Sequence, residues 1–329
     1  MATFSRFAGA VALAAMTLAS NISLADDPYP ARPVNVVLPF AAGGGTDILT
    51  RAWADKLSKM WNQSVVVENK PGASGNLGTE VVADAKPDGY TLLMTTNATI
   101  VINPQLSPEE VNYDPQKDLE PVTLVASVPF LLLVNPASPA KTIQDFIQLA
   151  KDKPGTLNCA SSGIGGGAHL ALELLKSKAG IDIVHVPYKG GNEGFIALMG
   201  GHVDCLIVSI LTSTSYVEQD QVRALAVTSL ERNPSQPNVP AFAELPGLEG
   251  FQSDLWYGLL APAGTDKAVI QKVYEDTKKV LTDPEYRKQF EPTGAVLGGN
   301  TPEEFRKVIV EDMERWKNVI EVSGVRDQL

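Results

Sequence analysis

Three stretches of the chain set glycines between an apolar run and a helical pattern. They read LPFAAGGGTDILTRA at 38–52, NCASSGIGGGAHLAL at 158–172 and VPYKGGNEGFIAL at 186–198. A strand that turns into a helix through glycines presents bare backbone N–H groups. The first N–H groups of a helix lack intrahelical partners and carry partial positive charge, so such a turn is a ready anion cradle. Glycine permits positive φ and close approach of a ligand to the backbone. One such turn is explained by strand–helix packing alone. Three, at 43–45, 163–167 and 190–191, together with the hydroxyls of Thr46, Ser161 and Ser162, point to an anionic ligand. GGGTD lacks the Lys-Ser/Thr ending of a phosphate loop, and no G-x-G-x-x-G spacing follows the first strand, which argues against nucleotides. A small carboxylate, whose oxygens a few N–H and hydroxyl donors satisfy, fits better.

Other chemistry-bearing residues are weighed singly. Asp47 suits the first turn of its helix through the dipole, and equally suits orienting the loop or meeting the ligand. Lys189 is the cation best placed to reach an anion, with a solvated lysine as the plain alternative. Glu193 starts a helix and is expected to point away from an anion. Trp256 and Tyr257 are expected in the core. The three histidines, His169, His185 and His202, show no metal-ligand spacing, so no metal or cofactor is expected. Ser161-Ser162 lacks a G-x-S-x-G context. A pair of Ser161 or Ser162 with His169 is conceivable in space, but no acidic orienter is evident, and no enzymatic activity is expected.

The elements that must position these residues alternate strand and helix, the pattern of α/β layers. Strands are expected at 34–39, 64–68, 91–95, 122–134, 157–161, 182–187, 203–209, 222–228 and 253–262. Helices are expected at 46–61, from about 77 to 85, and at 142–153, 168–178, 192–199, 266–282, 284–290 and 302–322. Two α/β blocks and a returning third segment put a cleft between lobes, a common place for small ligands. Residues 1–25 read as a secretory signal: Arg6, an apolar run at 7–18, and Ser23-Leu24-Ala25 before cleavage. The chain has 27 basic and 38 acidic residues, net −11, and losing Arg6 with the leader makes it −12. That acidity argues against nucleic acid and anionic membranes as partners. Cys159 and Cys205 each lie in an expected strand, where a small buried hydrophobe is the default. Export also permits a disulfide, and the sequence leaves the two open.

The segments YPARPVNVVLPFAAGGGTDILTR, VVVENKPGASGNLGTEVVADAKPDGYTLLM, SSGIGGGAHLALELLK, VPYKGG and DLWYGLLAPAGT follow one another along essentially the whole mature chain. This combination resembles the Bug-type periplasmic solute-binding proteins of tripartite tricarboxylate transporters. The resemblance implies an α/β, two-lobed periplasmic binding protein (Venus-flytrap, type II-like) with crossing hinge strands. Lobe 1 would be 26–124 plus 223–329, and lobe 2 would be 125–222. It implies a small carboxylate held by loop backbone and waters, then passed to membrane permease subunits, with the receptor soluble, periplasmic and expected as a monomer. Carried over residue by residue, the ligand set is Phe40, Ala41, Gly43, Gly44, Asp47, Thr95, Thr96 and Asn97 on lobe 1. On lobe 2 it is Ser161, Ser162, Gly163, His169, Tyr188, Lys189 and Ser209. The chain departs from the family pattern at Ala41-Ala42, where proline is common, at Ile164 and Gly166, often polar, and at Glu193, usually neutral. Ile164 is expected to face an apolar ligand body. An exported sensor of the same fold is the alternative, and a hydrolase the least favoured reading.

Overall fold

The computed structural model describes residues 29–43, 45–188 and 190–328; the expected leader, Gly44 and Lys189 lie outside them. One ten-stranded sheet runs in the order β2-β1-β3-β9-β4-β7-β5-β6, with β8 and β10 also paired to β4. Its first half is parallel at the outer end. β1 (Val34–Leu38), an unbroken VNVVL run, lies between β2 (Val65–Asn69) and β3 (Thr91–Thr96), parallel to both. A strand buried on both faces reads as a continuous apolar run rather than an alternating one. β3 pairs antiparallel with β9 (Asp254–Pro262).

β4 (Leu119–Val134) joins the two halves. From Leu119 to Pro129 it pairs with β9, and from Phe130 to Val134 it pairs with β7 (Cys205–Ser209). Beyond β7 lie β5 (Asn158–Ser161) and β6 (Val184–Pro187), parallel to each other and to β7. β8 (Arg223–Val227) also pairs with the second half of β4, and β10 (Val296–Leu297) with Ser127 and Ala126. At the junction Thr228 stitches the chain together. Its hydroxyl accepts from the Phe130 N–H (2.8 Å) and donates to the Ser253 carbonyl (2.7 Å).

The nine helices that matter here, in chain order, are α1 (Gly45–Trp61), α2 (Asn76–Ala83), α3 (Ile143–Asp152), α4 (Gly167–Ala179), α5 (Gly191–Met199), α6 (Ile210–Glu218), α7 (Lys267–Leu281), α8 (Pro284–Phe290) and α9 (Pro302–Ser323). α1 buries Leu49, Trp53 and Leu57, one apolar stripe at helical spacing. α9 starts on a capping box between Thr301 and Glu304 with Pro302 in its first turn. It buries Phe305, Ile309, Trp316 and Ile320 against β4 and α4. α6 was not expected: ILTSTSYVE is rich in hydroxyl and β-branched residues, which weaken a helical signal.

Cys159 and Cys205 face each other in the β5–β7 register and are joined by a disulfide. The default of two buried small hydrophobes is right for their burial and gives way on their chemistry. Among the described residues no helix is long and apolar enough to cross a membrane.

Candidate functional site

The first glycine turn is built around Asp47. Its carboxylate accepts from the Gly43 N–H (2.9 Å), from Arg51 Nε (2.9 and 3.0 Å) and from Asn69 Nδ2 (3.0 Å). Asn69 Nδ2 also donates to the Phe40 carbonyl (3.0 Å), and its Oδ1 accepts from Arg51 (2.6 Å). The Arg51 bonds chiefly, with those of Gly43 and Asn69, hold the Asp47 carboxyl down at about 2 against the effect of burial. Asp47 is therefore the loop's internal anchor, only 4% exposed. Gly43 has φ +83°, a region side chains rarely adopt, and its N–H is spent on Asp47. Ala41 is exposed, and Phe40 is half-buried.

Thr95, Thr96 and Asn97, at the end of β3, form a buried floor. Thr95 Oγ1 pairs with Thr99 Oγ1 (2.7 Å), Thr96 Oγ1 accepts from the Ala98 N–H (3.3 Å), and Asn97 Nδ2 donates to the Asp254 carbonyl (2.8 Å). Asn97 Oδ1 is buried without a protein hydrogen bond. Tyr257, opposite Thr96 across β3–β9, stretches to the start of α1. Its hydroxyl lies 3.8 Å from where a Cβ on Gly45 would sit. Burial pushes that hydroxyl up, and a hydrogen bond with Thr46 partly offsets this. The core assignment holds for Trp256, whose Nε1 donates to Asp312 (2.7 Å), while Tyr257 reaches the loop from the core.

The second turn rests on an imidazole pair. Ser161, 1% exposed, has its Oγ 2.6 Å from His185 Nε2, 3.1 Å from the Gly163 carbonyl and 3.3 Å from the Gly163 N–H. His169 is fully buried, and its Nδ1 accepts from the Gly165 N–H (3.0 Å). The two rings stack at 3.6 Å and 11°. The serine thus meets His185, not His169 as the sequence suggested, and an acidic neighbour that the sequence did not reveal, Glu173, stands 3.7 Å from His169 Nε2. Stacked rings pass no proton between them, so these groups do not form a triad. Ser162 and Gly166 are exposed, and Ile164 is 43% exposed. Tyr188 is half-buried, its N–H donating to the Ser161 carbonyl (3.0 Å). Ser209 caps α6, its Oγ accepting from the Leu211 N–H (3.3 Å). α4 and α5 begin without a side-chain cap from any described residue, leaving their first N–H groups open.

The two halves face each other across a cleft of about 330 Å³. Ser74, Ala98, Asn103 and Glu110 line one side, and Ile164, Gly165 and Gly166 line the other. At the neighbouring contact Gly45 lies beside Leu211 at the start of α6. No described residue of the expected ligand set lines this cleft; Ile164, expected to face the ligand body, does, while Ser162 and Gly163 precede it in the chain and Ala41 is exposed on the first turn. Asp47, Thr95, Thr96, Asn97, Ser161 and His169 are buried, and Ser209 is half-buried. Ser74 and Asn103 were missed. The GASGN run was the available signal for Ser74, whose φ of +53° bends that turn, and nothing in the sequence marks Asn103.

A family model described as the tripartite tricarboxylate transporter family receptor matches residues 49–325. The protein BugT of Bordetella pertussis is 34% identical over 301 residues, 91% of this chain and 92% of that one. Two solved structures are similar along the chain. R. palustris Rpa4515 with adipate is 33% identical at a TM-score of 0.75, covering 90% of this chain and 98% of its own. MatC from Rhodopseudomonas palustris with bound malate is 32% identical at a TM-score of 0.71, covering 89% and 100%.

Proposed function

The chain belongs to the tripartite tricarboxylate transporter receptor family, and from that premise we propose that it captures a small carboxylate between its lobes in the periplasm and hands it to a membrane permease. The observation that carries this reading is the cleft, with Ile164, Gly165 and Gly166, just ahead of the uncapped start of α4, on one wall and Ser74, Ala98 and Asn103 on the other. An acidic chain attracts no anion at long range, so the grip comes from local backbone N–H groups and hydroxyls. Adipate and malate in the two similar structures are both carboxylates, which supports that ligand class here.

The lobes are 26–124 with 223–329, and 125–222; the change of β4 partner at Phe130 and the Thr228 stitch support two crossings between them. In the closed state Ala41, Gly43, Gly44, Ser162, Gly163, Tyr188 and Lys189 join the cleft-lining Ile164, Gly165 and Gly166 as the contact set, with the remaining predicted residues shaping it from below. A carboxylate touching both lobes favours the closed state, because only that state supplies both sets of donors. The protein works as a monomeric receptor, not a catalyst, and takes no nucleic acid. Ser161, the candidate nucleophile, is only 1% exposed, which supports the second of these points.

The test is thermal unfolding of the mature, ligand-stripped protein against mono-, di- and tricarboxylates, aromatic acids and amino acids. An acid at about a hundred times its dissociation constant adds ~2.7 kcal/mol to the native state and raises the midpoint by several degrees. A flat panel, from protein shown by mass spectrometry to be free of ligand, contradicts the proposal.

A further inference from the structure

The stacked histidines beneath the second turn have no part in the contact set, yet they fix its backbone. His169 Nδ1 accepts from the Gly165 N–H, so the ring as placed carries its proton on Nε2. His185 holds Ser161 Oγ, and Ser161 Oγ in turn accepts from the Gly163 N–H. Gly165 of the cleft wall and its neighbour Gly163 are therefore held by one imidazole pair. A proton on His169 Nδ1 would set one donor against another, and the Gly165 bond would be lost.

We propose that His169 and His185 are positioning residues whose shared protonation state sets the shape of the anion-binding turn, so that carboxylate affinity falls on acidification. This rests on the carboxylate-capture reading above. The pair stands on geometry: rings 3.6 Å apart cannot both be charged without strong repulsion. His169 Nε2 is buried with no hydrogen-bond partner in the protein. Among the described residues, Glu173 and Lys176 on α4 are the charged groups acting on the pair. Glu173 Oε1 lies 3.7 Å from His169 Nε2 and 2.9 Å from Lys176 Nζ. Burial, reinforced by His169, pushes His185 down to about 4, consistent with a ring kept neutral. A cation placed beneath the turn would by itself attract a carboxylate. The loss of the backbone geometry opposes that attraction and outweighs it.

The experiment is calorimetric titration with the acid giving the largest midpoint shift from adipate, malate, succinate, citrate and benzoate, at about pH 7.5 and about pH 5.5, a window where histidine titrates. Wild-type affinity falls by about fivefold or more at the lower pH, the equivalent of one lost hydrogen bond. In H169N the amide oxygen replaces Nδ1 as acceptor and does not titrate. It keeps near-wild-type affinity at the higher pH and loses most of the pH dependence. Equal pH dependence in both proteins, or tighter wild-type binding at low pH, overturns the inference and leaves capture standing. No binding by any of these acids at either pH overturns the capture reading, and this inference with it. Should H169N fail to fold, histidine ring-nitrogen NMR of the wild type decides. His169 Nδ1 is an unprotonated acceptor at about pH 7.5 and gains a proton as affinity falls, whereas Nδ1 protonated throughout refutes the proposal.

Discussion

At Asp47 one carboxylate gathers a backbone N–H, a guanidinium and an amide, and so fixes the loop that the cleft depends on. Its folded value of about 2 lies below its ordinary 3.8. The stabilisation is therefore complete above the unfolded value and is lost as the pH falls through the folded one. Wild-type stability, measured by denaturant unfolding between about pH 5 and pH 2, should decline across that window by more than that of D47N. At neutral pH D47N should be less stable by about 1–3 kcal/mol, since a hydrogen-bonded charge is lost. The glycines and Asp47 were legible in the sequence because their spacing is local. Asn69, Tyr257 and the Ser161–His185 contact were not, because each meets its partner only after strands distant in the chain are paired. Asp47 shows the same limit within a legible motif. The dipole argument placed it, and only the fold shows its acceptor sites filled from within.

Most elements were legible because their apolar periodicity is strong. β1, α1, α8 and α9 fall within a residue of expectation. α6 was not, since Thr212, Ser213 and Thr214 turn their hydroxyls back onto the carbonyls of Ser209 and Ile210, offering the backbone an alternative to the helix. Its position is set by tertiary packing and by the Ser209 cap. The disulfide was equally out of reach, because it needs the β5–β7 register. It closes 46 residues, from the start of the second turn through α4, β6 and α5 to β7. Such a loop is worth about 2–4 kcal/mol. The C159A/C205A double variant should lose that much in urea unfolding while keeping its carboxylate affinity at low temperature. Unchanged stability would show that the bond constrains little in the unfolded chain.

At the scale of the whole molecule, a single sixteen-residue strand, β4, is shared by two half-sheets. The two-lobed architecture was foreseen from the alternation of elements and the family resemblance. Which surfaces meet across the cleft depends on the hinge geometry and had no sequence signature. If the lobes close on the ligand, small-angle X-ray scattering should record a smaller radius of gyration with saturating acid, and the change should vanish in a variant that cannot bind. The most direct test of capture by both lobes uses two exposed positions, Ala41 on the first and Ser162 on the second. Calorimetric titration of wild type, A41D and S162D with the acid identified by thermal shift compares them. A carboxylate added a few ångströms from a bound anion costs about 1–2 kcal/mol, so each variant should bind about tenfold more weakly or worse while melting as the wild type does. Wild-type affinity in either variant would remove that lobe from the site and contradict capture between the two.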